Sequence, residues 1–178
     1  MIEQEFHNWR TKLSKIQLDA WDELPEMDLY VDQVVSFIND HLAGLNVDPL
    51  TKSMVNNYVK KGAIMAPIKK KYSAPQIAAL FGIVLLKNIY SLDEIKKGID
   101  QLTINNYPKV VYNRFVELFN ARLRNEDAPT PSPLTDTNEY MMHLVVDTAF
   151  QRILTVQLLK EMQKKETPVK PAKKKLLS

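Results

Sequence analysis

The chain has 178 residues, of which 45% are hydrophobic and 25% charged, the composition of a globular protein with a substantial core. It contains no cysteine, which excludes disulfide bonds, thiolate metal sites and a cysteine nucleophile. The densest apolar run, residues 77–86, is about half of the ~18 residues that a membrane-spanning helix needs. The first five residues are too acidic for a signal peptide. We therefore expect a cytoplasmic protein.

The net charge of +3 conceals an uneven distribution. Residues 1–48 carry 3 basic and 10 acidic side chains, whereas residues 49–75 carry six lysines and no acidic residue. At the other end, residues 163–178 are again rich in lysine and are predicted to form a basic, disordered tail. A local excess of one charge affects which partners a protein binds more than how it folds.

Apolar residues recur at helical spacing along most of the chain, so we predict an all-α fold. Residues 1–25 are predicted to contain an N-terminal amphipathic helix, because apolar side chains from Ile2 to Ala20 follow a heptad-like spacing. A second helix starts near Val31 and ends before Gly44.

A third helix follows one of two capping residues, Asp48 or Thr51, and ends at Gly62. Two further helices each begin with a capping box, at Ser73 and at Ser91, in which a serine is followed three positions later by Gln or Glu. The first of these two is apolar on almost every side, which predicts that it lies at the centre of the fold.

Residues 104–162 are predicted to form the C-terminal helices. One helix follows Pro108, and a long helix extends from about Asn138 to residue 162. Between them, residues 125–137 contain three prolines among small polar residues, which is typical of an extended linker.

The third helix has two chemically distinct faces. On a helical wheel at about 100° per residue, Met54, Val55, Tyr58 and Val59 occupy one half-circle. The opposite half-circle carries only polar and basic side chains: Lys52, Ser53, Asn56, Asn57, Lys60 and Lys61. We predict that the first face packs in the core and that the second is exposed.

The exposed face has the chemistry of a surface that binds duplex DNA. Asparagine can pair with adenine in the major groove, and lysine and serine can bind phosphates or base edges. A second basic group, Lys69 to Lys71 with the aromatic Tyr72, follows in a short loop. A basic helix beside a basic loop is the pattern expected of a nucleic-acid-binding protein. The alternative is that these lysines are only a solvated surface.

Residues 50–64 resemble the recognition helix of the MerR family, a class of bacterial transcription regulators. Residues 67–83 are similar to the wing and following helix of that family, and residues 91–96, Ser-Leu-Asp-Glu-Ile-Lys, to another of its motifs. Residues 46–99 also resemble an uncharacterised family of Gram-positive bacterial proteins described as MerR-like.

The resemblance implies a helix-turn-helix domain over residues 28–103. Its first helix would be residues 31–45, its recognition helix 50–61 and its short wing 65–72. The chain departs from the MerR pattern at Asn56 and Asn57, which replace arginine and tyrosine. Two acids of the first helix, Asp32 and Asp40, would repel phosphate if they faced it.

We therefore predict a DNA-binding transcription regulator with double-stranded DNA as its partner. The apolar faces of the N-terminal helix and the long C-terminal helix favour a homodimer. The predicted contact residues are Lys52, Ser53, Asn56, Asn57, Tyr58, Lys60, Lys61, Lys69, Lys70, Lys71 and Tyr72.

No catalytic or metal-binding motif is recognisable, so we expect neither an enzyme nor a cofactor. The alternative is a helical protein–protein interaction module, with a degenerate helix-turn-helix that no longer binds DNA. Burial of the basic helix face against the terminal helices would favour this alternative.

Overall fold

The computed structural model describes residues 1–164, which form seven α-helices and a two-stranded antiparallel sheet. The helices are α1 (Ile2–Leu13), α2 (Val31–Leu42), α3 (Lys52–Lys60), α4 (Ala74–Leu86), α5 (Leu92–Leu102), α6 (Pro108–Arg124) and α7 (Asp136–Gln163), and the strands are β1 (Leu29–Tyr30) and β2 (Lys71–Tyr72). The mainly helical prediction is confirmed, but the all-α prediction missed the sheet. Most of the predicted basic tail, from residue 165 onward, lies outside the described residues.

Helix α4 lies at the centre of the fold and packs against α2, α5 and α6. Its side chains are buried on several sides, as its apolar sequence predicts. The buried apolar residues of α4 are Ile77, Ala78, Leu80, Phe81, Ile83, Val84 and Leu85. In residues 1–164, the structure contains no helix with the length and hydropathy needed to span a membrane.

The N-terminal helix is shorter than its heptad-like pattern predicts. Helix α1 ends at Leu13, and the next regular element is a short 3₁₀ turn at Trp21–Glu23. Between them, the backbone N–H of Leu18 donates to Asn120 Oδ1 (2.8 Å), and the Asn120 amide donates back to the Leu18 carbonyl (3.1 Å). These bonds to α6 replace the helical hydrogen bonds that the segment would otherwise make.

Helices α6 and α7 are joined by a buried ionic network. The Arg114 side chain is only 1% exposed and donates from Nε to both Glu139 carboxylate oxygens (3.1 and 3.0 Å). It also bonds Glu117 Oε2 (3.1 Å) and the Pro129 carbonyl (2.8 Å). Hydrogen bonds from Arg114, together with Ser132 and His143, lower the pKa of Glu139 to about 2. The network holds residues 125–135 against both helices.

Helix α7 packs against α6 and also against α1, so the two terminal helices cover part of each other. Their apolar surfaces are thus partly buried within the chain. Helix α7 nevertheless leaves several large apolar side chains exposed to solvent: Tyr140, Leu144, Leu158, Leu159 and Met162. The homodimer remains a prediction.

Candidate nucleic acid interface

Helix α3 has the two faces that the helical wheel predicts. Val55 and Tyr58 are buried at 0% and 7% exposure, and Met54 and Val59 are half-buried. The side chains on the opposite face are all exposed: Lys52, Ser53, Asn56, Asn57, Lys60 and Lys61. The polar face is therefore open to solvent rather than covered by the terminal helices.

Both ends of α3 are defined by local capping interactions. At the start, Thr51 Oγ1 accepts a hydrogen bond from the backbone N–H of Met54 (3.2 Å), which makes Thr51 the cap rather than Asp48. At the end, Gly62 has a φ of 70°, and the N–H of Ala63 donates to the Tyr58 carbonyl (2.8 Å). This six-residue bond is a Schellman motif, which explains why a glycine follows the helix.

The loop that precedes α3 is attached to α2 by one asparagine. Asn39 Oδ1 accepts from the backbone N–H of Leu50 (2.8 Å), and Asn39 Nδ2 donates to the Leu50 carbonyl (2.9 Å). Leu50 is buried at 2% exposure. The connection from α2 to α3, residues 43–51, is longer than the three- or four-residue turn of a simple helix-turn-helix, so this side-chain anchor sets the position of α3.

The lysine triplet forms a tight β-turn. Ile68 and Lys71 exchange two backbone hydrogen bonds (3.0 and 2.9 Å) across the two-residue loop. Lys69 and Lys70 have φ values of 49° and 66°, so both central residues are left-handed, as in a type I′ turn. This turn normally takes Asn-Gly, because glycine has no Cβ and the short polar side chain of asparagine can hydrogen-bond locally, whereas a left-handed backbone costs other residues about 1–2 kcal/mol. Two lysines thus occupy positions for which lysine is poorly suited.

Gln76 anchors the segment that leads into this turn. Its side chain, in a residue only 5% exposed, donates to the carbonyls of Met65 (3.2 Å) and Ala66 (2.9 Å). Its Oε1 atom accepts from the backbone N–H of Ser73 (2.7 Å), which completes the capping box of α4. One buried side chain therefore connects the start of α4 to both sides of the turn.

The basic helix and the basic turn meet at the start of α2. Lys52 Nζ lies 3.0 Å from Asp32 Oδ1, and Lys71 Nζ lies 5.0 Å from the centre of the Tyr30 ring. Tyr30 and Asp32 are two positions apart, and β1 pairs Tyr30 directly with Lys71. The start of α3 and the basic turn therefore lie beside the same end of α2. We call the exposed face of α3 together with this turn the basic surface; it comprises Lys52, Ser53, Asn56, Asn57, Lys60, Lys61, Lys69, Lys70 and Lys71.

Most of the charge on the basic surface is not neutralised within the chain. Lys60, Lys61, Lys69 and Lys70 form no ion pair with any acidic side chain of residues 1–164. Lys52 is the exception, but its pair with Asp32 is exposed on both sides (56% and 71%), and such pairs are weak. The four unpaired ammonium groups remain available to an anionic partner.

Two of the predicted contact residues lie in the core, and for Tyr58 this agrees with its place on the apolar half of the helical wheel. Tyr58 and Tyr72 are only 7% and 3% exposed, and burial raises the pKa of each hydroxyl. Their rings are therefore unavailable for stacking on a partner. The aromatic residue on this surface is Tyr30, which is 50% exposed. Tyr30 was not predicted to be part of the site, because its pairing with Lys71 joins distant parts of the chain. Only knowledge of which strands pair could have indicated it.

A comparison with protein-family models matches residues 19–115 to a domain of unknown function, DUF1836. The matched range contains α2 to α5, the sheet and the first half of α6, and thus all of the basic surface. No curated protein and no solved structure matches the chain. Within residues 1–164, no group of three potential ligand side chains lies close enough to hold a metal ion.

Proposed function

Because more than half of the chain matches its model, the protein belongs to the DUF1836 family, and we propose that it is a duplex-DNA-binding regulator of MerR-like type. In this proposal, α3 is the recognition helix and the hairpin at residues 68–71 is a short wing. The observation that carries the proposal is that Lys52 pairs with Asp32 while Lys71 lies over the ring of Tyr30, two positions away at the start of α2. This proximity supports a single footprint for the basic helix and the basic turn.

The residue types on α3 suit the major groove. Asn56 and Asn57 are exposed in the middle of the helix, where their amides would pair with adenine edges. Lys60 and Lys61 follow at its C-terminal end, where they would bind phosphates. Asp32 reduces the positive potential near Lys52, so the helix binds through its middle and its end more than through its start.

The backbone geometry of the turn also supports a partner-binding role. Lys69 and Lys70 adopt a conformation that a lysine does not favour, and neither side chain stabilises the fold through an ion pair in the described part of the chain. Strained residues of this kind cluster at functional sites. Two neighbouring lysines in a strained turn are therefore candidates for binding an anionic partner.

The experiment is a salt titration of duplex binding, with a fragment first selected from genomic DNA at about 0.15 M salt. In the variant with Lys69, Lys70 and Lys71 replaced by Gln, the slope of log K against log salt should become shallower by roughly 2–3, because each phosphate contact contributes about 0.9. A matched control replaces the exposed lysines Lys12, Lys15 and Lys97 and leaves the slope unchanged. An equal slope in wild type and the first variant overturns the proposal.

A second candidate function is binding to an acidic protein segment. The departure of Asn56 and Asn57 from the arginine and tyrosine of the MerR pattern favours it, because the exposed face of α3 lacks two side chains that the resemblance implies for DNA contact. A competition experiment separates the two functions: polyglutamate would displace an acidic partner but would compete poorly with a duplex that is bound through base contacts. If the protein binds polyglutamate but does not bind the duplex, the result supports the second function.

A further inference from the structure

The small sheet has one face in the core and one in solvent. Residues that lie directly opposite each other in an antiparallel pair share a face. Leu29 pairs with Tyr72, and both point inward, with Tyr72 only 3% exposed. Tyr30 pairs with Lys71 on the outer face, where the Lys71 ammonium lies 5.0 Å from the centre of the Tyr30 ring.

Ile68 extends the outer face to the tip of the hairpin. It pairs directly with Lys71 across the turn, so the side chains of Ile68 and Lys71 lie on the same face. Ile68 is 76% exposed, more than Tyr30 at 50%. We call the row formed by Ile68, Lys71 and Tyr30 the outer strip. It joins an aliphatic tip, a cation and an aromatic ring.

Exposure of one isoleucine is common on protein surfaces and indicates nothing by itself. Three features of its surroundings distinguish Ile68. It directly precedes the two left-handed lysines, it sits at the end of a narrow two-residue turn, and its backbone is held by two hydrogen bonds. The apolar side chain of Ile68 is therefore exposed on a backbone fixed by hydrogen bonds, directly before two lysines in the sequence.

We propose that the outer strip enters the minor groove of the bound duplex, where Ile68 partly inserts between two base pairs and bends the DNA. This inference rests on the function proposed above and adds a mode of contact to it. Lysines bind the phosphates on either side of a groove, while an apolar wedge unstacks a base step and kinks the duplex by about 20–90°. The Tyr30 ring, next to Lys71, would pack against the sugars.

If Ile68 acts as a wedge, replacing it should strongly reduce DNA bending and should hardly change the electrostatic contribution to binding. We therefore compare Ile68→Thr with wild type, using a duplex that carries fluorophores at its two ends. Threonine keeps the branching at Cβ that suits this extended position but has a hydroxyl in place of the ethyl arm of isoleucine, so the apolar tip is removed. We expect the bend to be lost and affinity to fall roughly 3- to 30-fold. The salt slope should stay unchanged, because no charge is removed.

Ile104→Thr is the matched control, because Ile104 is also an exposed isoleucine (64%) but lies after α5, away from the basic surface. It should bend and bind the duplex as wild type does. A wild-type complex without a bend, or an undiminished bend in Ile68→Thr, overturns the wedge and leaves DNA binding intact. Absence of duplex binding by wild type overturns both proposals.

Discussion

Charged side chains are concentrated both at the junction of α6 with α7 and on the basic surface, and the two regions use them differently. At the junction, Arg114 is 1% exposed and its donors are occupied by Glu139, Glu117 and a backbone carbonyl. On the basic surface, Lys60 and its neighbours are exposed and mostly unpaired. The first arrangement stabilises the fold, whereas the second is free to stabilise a complex.

The backbone shows the same division between the two regions. Two polar side chains fix the backbone of the basic surface by hydrogen bonds. Asn39 bonds the loop before α3, and Gln76 bonds the segment before the turn. These anchors are half-buried or buried, while the lysines that they position point outward. Fold stability and the proposed binding thus depend on different residues, and mutations can separate the two.

The largest expected effect is on stability at the junction. Replacing Arg114 with Met removes one partner of a buried ion pair and leaves Glu139 without its main donor, which costs about 3–5 kcal/mol. Urea-induced unfolding measures this loss. The control Lys97→Met breaks the exposed pair with Asp93 and should leave the free energy of unfolding almost unchanged. Similar losses in both variants would contradict a stabilising role for the junction.

The second effect is a pH dependence of stability that also arises at the junction. The pKa of Glu139 is lowered from 4.5 to about 2, so the folded state binds a proton less readily than the unfolded state. The resulting stabilisation is present above the unfolded pKa and is lost as pH falls from about 5 through 2. It amounts to about 3 kcal/mol at most, since one pKa unit corresponds to about 1.4 kcal/mol.

Unfolding by urea at several pH values between about 5.5 and 2.5 tests this prediction. Glu139→Gln is the appropriate comparison, because the amide does not titrate while the other carboxylates of the chain still do. The difference in stability between wild type and this variant should narrow as the pH falls. A difference that stays constant across the range would show that Glu139 is not the titrating group.

The sequence predicts the features that depend on neighbouring residues. The capping residue Ser91, the helix end at Gly62 and the division of α3 into two faces all follow from patterns within a few positions. The position of α4 is also predictable, because a helix that is apolar on every side needs cover on every side. These signals sufficed to find most of the basic surface.

Features that depend on distant residues were not predictable. Helix α1 ends early because Asn120, 102 positions away, binds the backbone of Leu18. The sheet pairs Tyr30 with Lys71 from a distant part of the chain, and each strand has only two residues, too few for an alternating pattern to be recognised. The type I′ turn was not predicted either, because Lys69 and Lys70 are not the residues that such a turn normally requires.

The mismatch between these two lysines and their turn type predicts the smallest of the free-energy changes. It also gives the most direct test of the difference between the junction and the basic surface. Replacing Lys69 with Asn and Lys70 with Gly supplies the favoured turn residues, so the free energy of unfolding should rise by about 0.5–2 kcal/mol. The same change removes two ammonium groups, so the salt slope of duplex binding should become shallower by about 2. Stability and binding would then change in opposite directions.

The control for this prediction replaces both Lys69 and Lys70 with Gln. It removes the same charge but keeps side chains that are strained in a left-handed conformation. It should weaken duplex binding as much as the Asn-Gly variant does, with no gain in stability. Equal stability of the two variants would show that the turn is not strained. Unchanged binding in both would show that the turn does not contact DNA. If both predictions hold, the two lysines destabilise the turn and strengthen duplex binding.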